Sequence, residues 1–234
     1  MHPRCKGEIN LKDIHSLIGQ KVELEVSGRT IFQGILVDLG QDILVLFNGK
    51  DYFYIPFLHV HNLRTNPLIE LEGNENQEAP VSPINEDQST ISYRKTLMNA
   101  KGRFVEIFVT GNKSIHGYIT NVLNDYFVFY SPVYKTMFIS LNHLKWLTPY
   151  QTNITPYTLG NEELPVKPIN MPLQRSLEEQ LKKLEGNLVV FDIGDHPLKI
   201  GLLKQVQNNL IKLITASGET VFWKILHIKS IHMP

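Results

Sequence analysis

The sequence predicts a mainly β protein built from three small, similar units in tandem, each with five short strands preceded by a short helix. Three observations carry this. Gly34, Gly117 and Gly201 lie 83 and 84 residues apart, and each follows another glycine, Gly19, Gly102 or Gly186, by 15 residues. Histidine segments recur in the same register: "FLHVHNL", "LNHLKWL" and "ILHIKSI" centre on His59, His143 and His227, spaced by 84 and 84. Between these markers apolar residues alternate with polar ones, the two-residue period of a half-buried strand.

The elements follow in order within each unit. A short helix precedes the first glycine. In unit three Leu173, Leu177, Leu181 and Leu184 form a stripe ending at Gly186, where a helix would stop; in unit one Asn10 and Asp13 precede Ile14, Leu17 and Ile18; in unit two Leu97 holds the equivalent place. The first strand alternates as Val22, Leu24, Val26, then Val105, Ile107, Val109, then Val189, Phe191, Ile193. The second carries the second glycine and then Leu36, Ile119 or Leu203. Turn residues (Gly40 to Asp42, Asn124 with Asp125, Asn208 with Asn209) lead into the third strand, "ILVLF", "YFVFY" or "LIKLI". "YFYI", "TMFI" and "TVFW" give the fourth strand, and the histidine segment is read as the fifth.

These markers bound the units at residues 8–65, 91–148 and 173–234. Residues 66–90, with "EGNENQEAPVSPINEDQST", are polar and acidic and read as a flexible surface linker; residues 149–172 hold five prolines and read as a stiffer, extended one. A period near 84 exceeds the roughly 20 to 50 residues of solenoid repeats, so three small domains are expected.

Composition narrows the function classes. Hydrophobic residues make up 42% of the 234, an ordinary globular content. Lys+Arg and Asp+Glu are each 23, so no global charge draws the chain to nucleic acid or an anionic membrane. One cysteine, Cys5, rules out an intramolecular disulfide framework and a multi-cysteine zinc site. No apolar run approaches a membrane span, and "MHPRCKGEINLKD" lacks the apolar core of a secretory signal, so cytoplasmic synthesis is expected.

A helix and five bent strands in 55 to 60 residues, with glycine in the second strand, suggest an SH3-like barrel, and the element order resembles the Sm-like fold. Glycine serves there because a strand bending to join both halves of a barrel needs a residue without Cβ. Three such copies closing on segments like His227, Ile228, Lys229, Ser230, Ile231, with His143 and Lys145 and with His59 as counterparts, resemble the repeat-bearing region of the Bacillus-type spore coat protein B family. The likeness spans roughly residues 8 to 232. Two features depart from it: "SGRT", "TGNK" and "GDHP" stand where a Gly-Gly-Pro-Glu type turn is expected, and no Ser/Lys/Arg-rich tail follows Ile231. The resemblance implies a structural protein of the spore coat, made in the mother cell, whose partners are other coat proteins and itself.

Other chemistry is weighed residue by residue. His59 and His61 share a strand face and could offer two metal ligands, but the counterparts of His61 are Lys145 and Lys229, so the recurrent histidine reads as a structural hydrogen-bonding residue. No nucleophile elbow, HExxH, P-loop or dinucleotide glycine motif is present; no enzyme activity, cofactor, metal, membrane or small-molecule substrate is expected. The alternative function is RNA binding in the Sm-like manner, for which Tyr126, Phe127, Phe129, Tyr130 and Tyr134 would stack bases beside Arg103, Lys135 and Lys145. Against it, alternate aromatics would fill the barrel while the rest cover a neighbouring unit, and no closing segment carries the Arg-Gly pair of the second Sm motif. Open barrels leave edge strands that pair with other copies, which favours assembly, with Tyr150 and Tyr157 as candidate cross-linking points.

Overall fold

Alternation in the first repeat becomes strand β1 (Lys21–Val26), with Val22, Leu24 and Val26 buried and the residues between them half-exposed. The computed structural model describes residues 14–71, 82–84, 90–110, 113–151, 154, 156–159 and 171–234. Cys5, Asn10 and Asp13 lie outside them, as do Pro165 and Pro168 of the second proline-rich stretch.

Two compact units make up the chain, Met1–Tyr93 and Arg94–Pro234. In the first, residues 14 and 15 are helical. After β1 come β2 (Thr30–Leu39), β3 (Ile43–Phe47), β4 (Tyr52–Pro56) and β5 (Val60–Thr65). They pair antiparallel in the order β4-β3-β2-β1-β5.

Helix α1 (Tyr93–Asn99) leads into the second unit, with β6 (Phe104–Thr110), β7 (Lys113–Val122), β8 (Tyr126–Ser131), β9 (Lys135–Ser140) and β10 (Trp146–Pro149). Helix α2 (Leu177–Lys182) then precedes β11 (Leu188–Phe191), β12 (Ile200–Gln207), β13 (Leu210–Ile214), β14 (Thr220–Lys224) and β15 (Ser230–His232). Ser176 caps α2 by accepting from the Glu179 amide, and Glu178, Glu179 and Lys182 sit where the helix dipole favours them. The order in this unit is β14-β13-β12-β11-β15-β9-β8-β7-β6-β10. The chain is thus mainly β and antiparallel, with short helices.

Both glycine series have clear backbone roles. Gly19, Gly102 and Gly186 hold φ of +83°, +75° and +86°, and each amide donates across to the second strand, at Leu36, Ile119 and Leu203. At Gly34, Gly117 and Gly201 a Cβ would collide with the carbonyl oxygens of Phe47, Tyr130 and Ile214, so glycine permits close approach of the third strand. Two residues after each, the register slips, between Leu36 and Asp38, Ile119 and Asn121, and Leu203 and Gln205, a bulge repeated three times that bends the second strand.

Three expectations need correction. The histidine segments are not strands throughout: Phe57–His59, Leu141–His143 and Ile225–His227 are single 3-10 turns, and the fifth strand begins only after them. Ile225, Ile228 and Ile231 are buried at a spacing of three, the first two joined by the 3-10 turn and the last in the strand after it. In the third repeat the first strand stops at Phe191, and Asp192, Ile193 and Gly194 turn with positive φ. Part of the supposed first linker is packed: Ile69 and Ile84 are buried, and the Tyr54 hydroxyl meets Ser82 Oγ at 2.5 Å and accepts from the Ile84 amide at 3.1 Å. Repeats two and three fall within one compact unit, Arg94–Pro234.

Candidate functional site

What joins repeats two and three is the most elaborate polar and apolar arrangement among the described residues. β15 pairs antiparallel with β9, in the register Ser230 with Ile139, Ile231 with Phe138 and His232 with Met137. The edge of one five-stranded set thereby continues into the next.

Side chains seal the junction. "YFVFY" is buried along its whole length because β8 is covered on both faces. Tyr126, Val128 and Phe138 enter the core of the third repeat, against Leu177, Leu181, Leu184, Val189, Phe191 and their neighbours. Tyr126 also donates to the Gln174 carbonyl at 2.7 Å and to Gln180 Oε1 at 3.0 Å, and burial, with Asp125 beside it, pushes its phenol up to about 12. Asp125 Oδ1 accepts from the Leu177 amide at 2.8 Å, so the turn before β8 holds the start of α2. Asp42, the equivalent residue of repeat one, accepts from the Tyr93 amide in the same way, at 2.8 Å.

The three recurrent histidines do not share one role. His59 Nδ1 lies 3.1 Å from Ser27 Oγ within repeat one. His143 crosses the junction, its Nε2 donating to the Leu226 carbonyl at 2.7 Å, and burial lowers its pKa. His227 is exposed. His232, without a counterpart upstream, is buried in β15 beside Tyr134 with ring centroids 5.5 Å apart, and burial lowers its pKa as well.

Sequence reasoning missed Asp192. Its side chain is fully buried, Oδ1 accepts from the Lys229 and Ser230 amides at 2.7 and 3.1 Å, and Oδ2 takes Lys199 Nζ at 2.6 Å. It replaces the end of a first strand with a charged clamp on the entry to β15. The sequence carried little signal for it, since Ile193 keeps the apolar place of Val26 and Val109 and Glu25 is the counterpart of Asp192 in repeat one.

Four of the five aromatics expected to stack RNA bases are withdrawn from solvent. Tyr126, Phe127, Phe129 and Tyr130 are all buried, and Tyr134 is half-buried. Of the two tyrosines expected as exposed cross-linking points, Tyr150 is half-buried, packing edge-on against Phe104 at 5.1 Å with its hydroxyl 3.0 Å from His116 Nδ1, whereas Tyr157 is exposed. Among the described residues no group of three or more His, Cys, Asp or Glu side chains could hold a metal, and no helix is long and apolar enough to cross a membrane.

Residues 176–231, the body of the third repeat, match the family model described as the YwrJ third domain. Over 225 residues the chain is 51% identical to the YwrJ protein of Bacillus subtilis (strain 168), covering 96% of this chain and 100% of that one. The chain belongs to the YwrJ family. The stretch matched by the YwrJ third-domain model takes in α2, Asp192, the whole of β13 and β14, and the start of β15, so it includes most of what the third repeat brings to the junction with β9.

Proposed function

We propose that this YwrJ-family protein is a structural component of the bacterial spore coat, built from three Sm-like barrels that work by binding one another and other coat proteins. The observation that carries the assembly reading is the β9–β15 junction, where two repeats associate through strand edges and a shared apolar core. The barrel reading is supported by the strand order β4-β3-β2-β1-β5, the bulged second strand and the 3-10 turn before the fifth. Placement in a coat rests on the likeness of the closing segments to spore coat protein B, and the Bacillus source of the relative agrees with it.

Such a protein works without a reaction. Main-chain hydrogen bonds along an edge supply a sequence-tolerant attachment, and apolar residues beside the edge supply affinity and register. The test is binding of the purified protein to spore coat extracts and, separately, to RNA over a range of salt. Coat binding that persists as salt rises is expected. Tight RNA binding that weakens steeply with salt would sink the assembly reading in favour of a nucleic-acid one.

A further inference from the structure

Position by position, the third repeat presents to solvent the surface that the second repeat buries. Phe222 is the counterpart of Phe138 and Tyr54, and it is 62% exposed where they are 1% and 1%. Leu210 is the counterpart of Tyr126 and Ile43, and it is 43% exposed against 0% and 1%. Leu210, Phe222, Lys212, Gln205 and Gln207 line an open groove of about 170 Å³. β14 ends the strand order of its unit, and among the described residues its outer edge carries no strand.

Repeat one has the converse defect. Ile14, Leu17, Val60 and Leu63 are only half-buried, while their counterparts in repeat three, Leu181, Leu184, Ile228 and Ile231, are fully enclosed at the junction with repeat two. β5 ends the order of its unit, with no strand on its outer edge among the described residues.

We infer that repeat three of one molecule docks on repeat one of a second copy, reproducing between molecules the junction that joins repeats two and three within one. The inference rests on the assembly reading above and supplies its self-association contact. Transferring the β9–β15 register puts Asn62 opposite Trp223, Leu63 opposite Phe222 and Arg64 opposite Val221. Phe222 and Leu210 then cover the open end of the repeat-one core, as Phe138 and Tyr126 cover that of repeat three. His227, the counterpart of His143, meets the Leu58 carbonyl, the counterpart of that of Leu226. Lys212 and Lys224 oppose the symmetric alternative, since two β14 faces brought together would face like charges. The contact is heterologous, and it propagates to a chain of molecules or closes to a ring.

Sedimentation velocity of the full-length protein at rising concentration tests this. The weight-average mass should climb above the monomer, and Phe222→Asp, at an exposed position, should weaken association at least about tenfold, equivalent to about 1.4 kcal/mol. Arg64→Cys and Val221→Cys proteins, each also carrying Cys5→Ser, should form a mixed disulfide when combined, because paired strands bring Cα atoms within about 5.5 Å. A protein that stays monomeric throughout, association indifferent to Phe222→Asp, or failure of the mixed disulfide to form would overturn the contact. Monomeric protein that still binds coat extracts would overturn this contact alone and leave the assembly reading standing.

Discussion

Phe138 and Phe222 occupy the same place in successive repeats, and replacing each with alanine should have very different consequences. Phe138 lies in the shared core, its ring 6.0 Å from that of Tyr126. Truncating a buried phenylalanine removes its transfer free energy and leaves a cavity, together about 3 to 5 kcal/mol. Phe222 faces solvent on β14, so in dilute solution its loss should cost no more than about 0.5 kcal/mol. Both tryptophans, Trp146 and Trp223, belong to the second unit, so urea unfolding followed by their fluorescence reports that unit alone. With an m-value of about 2 kcal/mol/M, Phe138→Ala should lower the midpoint by roughly 2 M and Phe222→Ala by less than about 0.3 M. Equal shifts would refute the reasoning, since they would mean that the two faces are covered alike in the isolated molecule.

Asp192→Ala should destabilise the second unit by about 3 to 5 kcal/mol, because it orphans the Lys229 and Ser230 amides and strips one carboxylate from Lys199; Asp192→Asn, which keeps an acceptor and tolerates positive φ, should cost clearly less. The same urea titration ranks the two. Gly117→Ala places a Cβ against the Tyr130 carbonyl and should cost at least about 2 kcal/mol, whereas Gly102→Asn, at a positive φ with open space, should cost under about 1 kcal/mol. Acid should loosen the junction. Burial holds the pKa values of His143 and His232 below their unfolded value of about 6.5, against the raising influence of Asp192 and alongside the lowering influence of Lys229 and His227 on His143. Their stabilisation is therefore fully present above about 6.5 and lost as pH falls through the lower folded values. The midpoint measured across that window should drop toward acid and flatten in a His143→Gln, His232→Gln variant.

Much of this architecture was legible because it rests on residue types with few substitutes. Glycine at 34, 117 and 201 is fixed by collision with a neighbouring carbonyl, and glycine at 19, 102 and 186 by positive φ, so both series kept register. The burial of β8 on both faces was legible as one of two options, since "YFVFY" is apolar without a break whereas "LIKLI" admits Lys212 on its outer face. Other features left no comparable trace. Apolar residues three apart in "ILHIKSI" fit a 3-10 turn, yet over so short a stretch they also pass for a strand. Ile69 is buried while its apolar neighbour Leu68 is exposed, and Ile84 stands between Pro83 and Asn85, so only tertiary packing decides which of them turns inward. Edge pairing of β9 with β15 is made by main-chain groups that every residue carries, so sequence named the liability of an edge without naming its partner.

The measurement that bears most directly on the central claim is where the protein resides during sporulation. Purified spores stripped of their coats, with coat extract and vegetative lysate probed by an antibody to the chain, should show it in the coat fraction and not in vegetative cells. Abundant protein in the vegetative lysate with none in the coat extract would contradict the account.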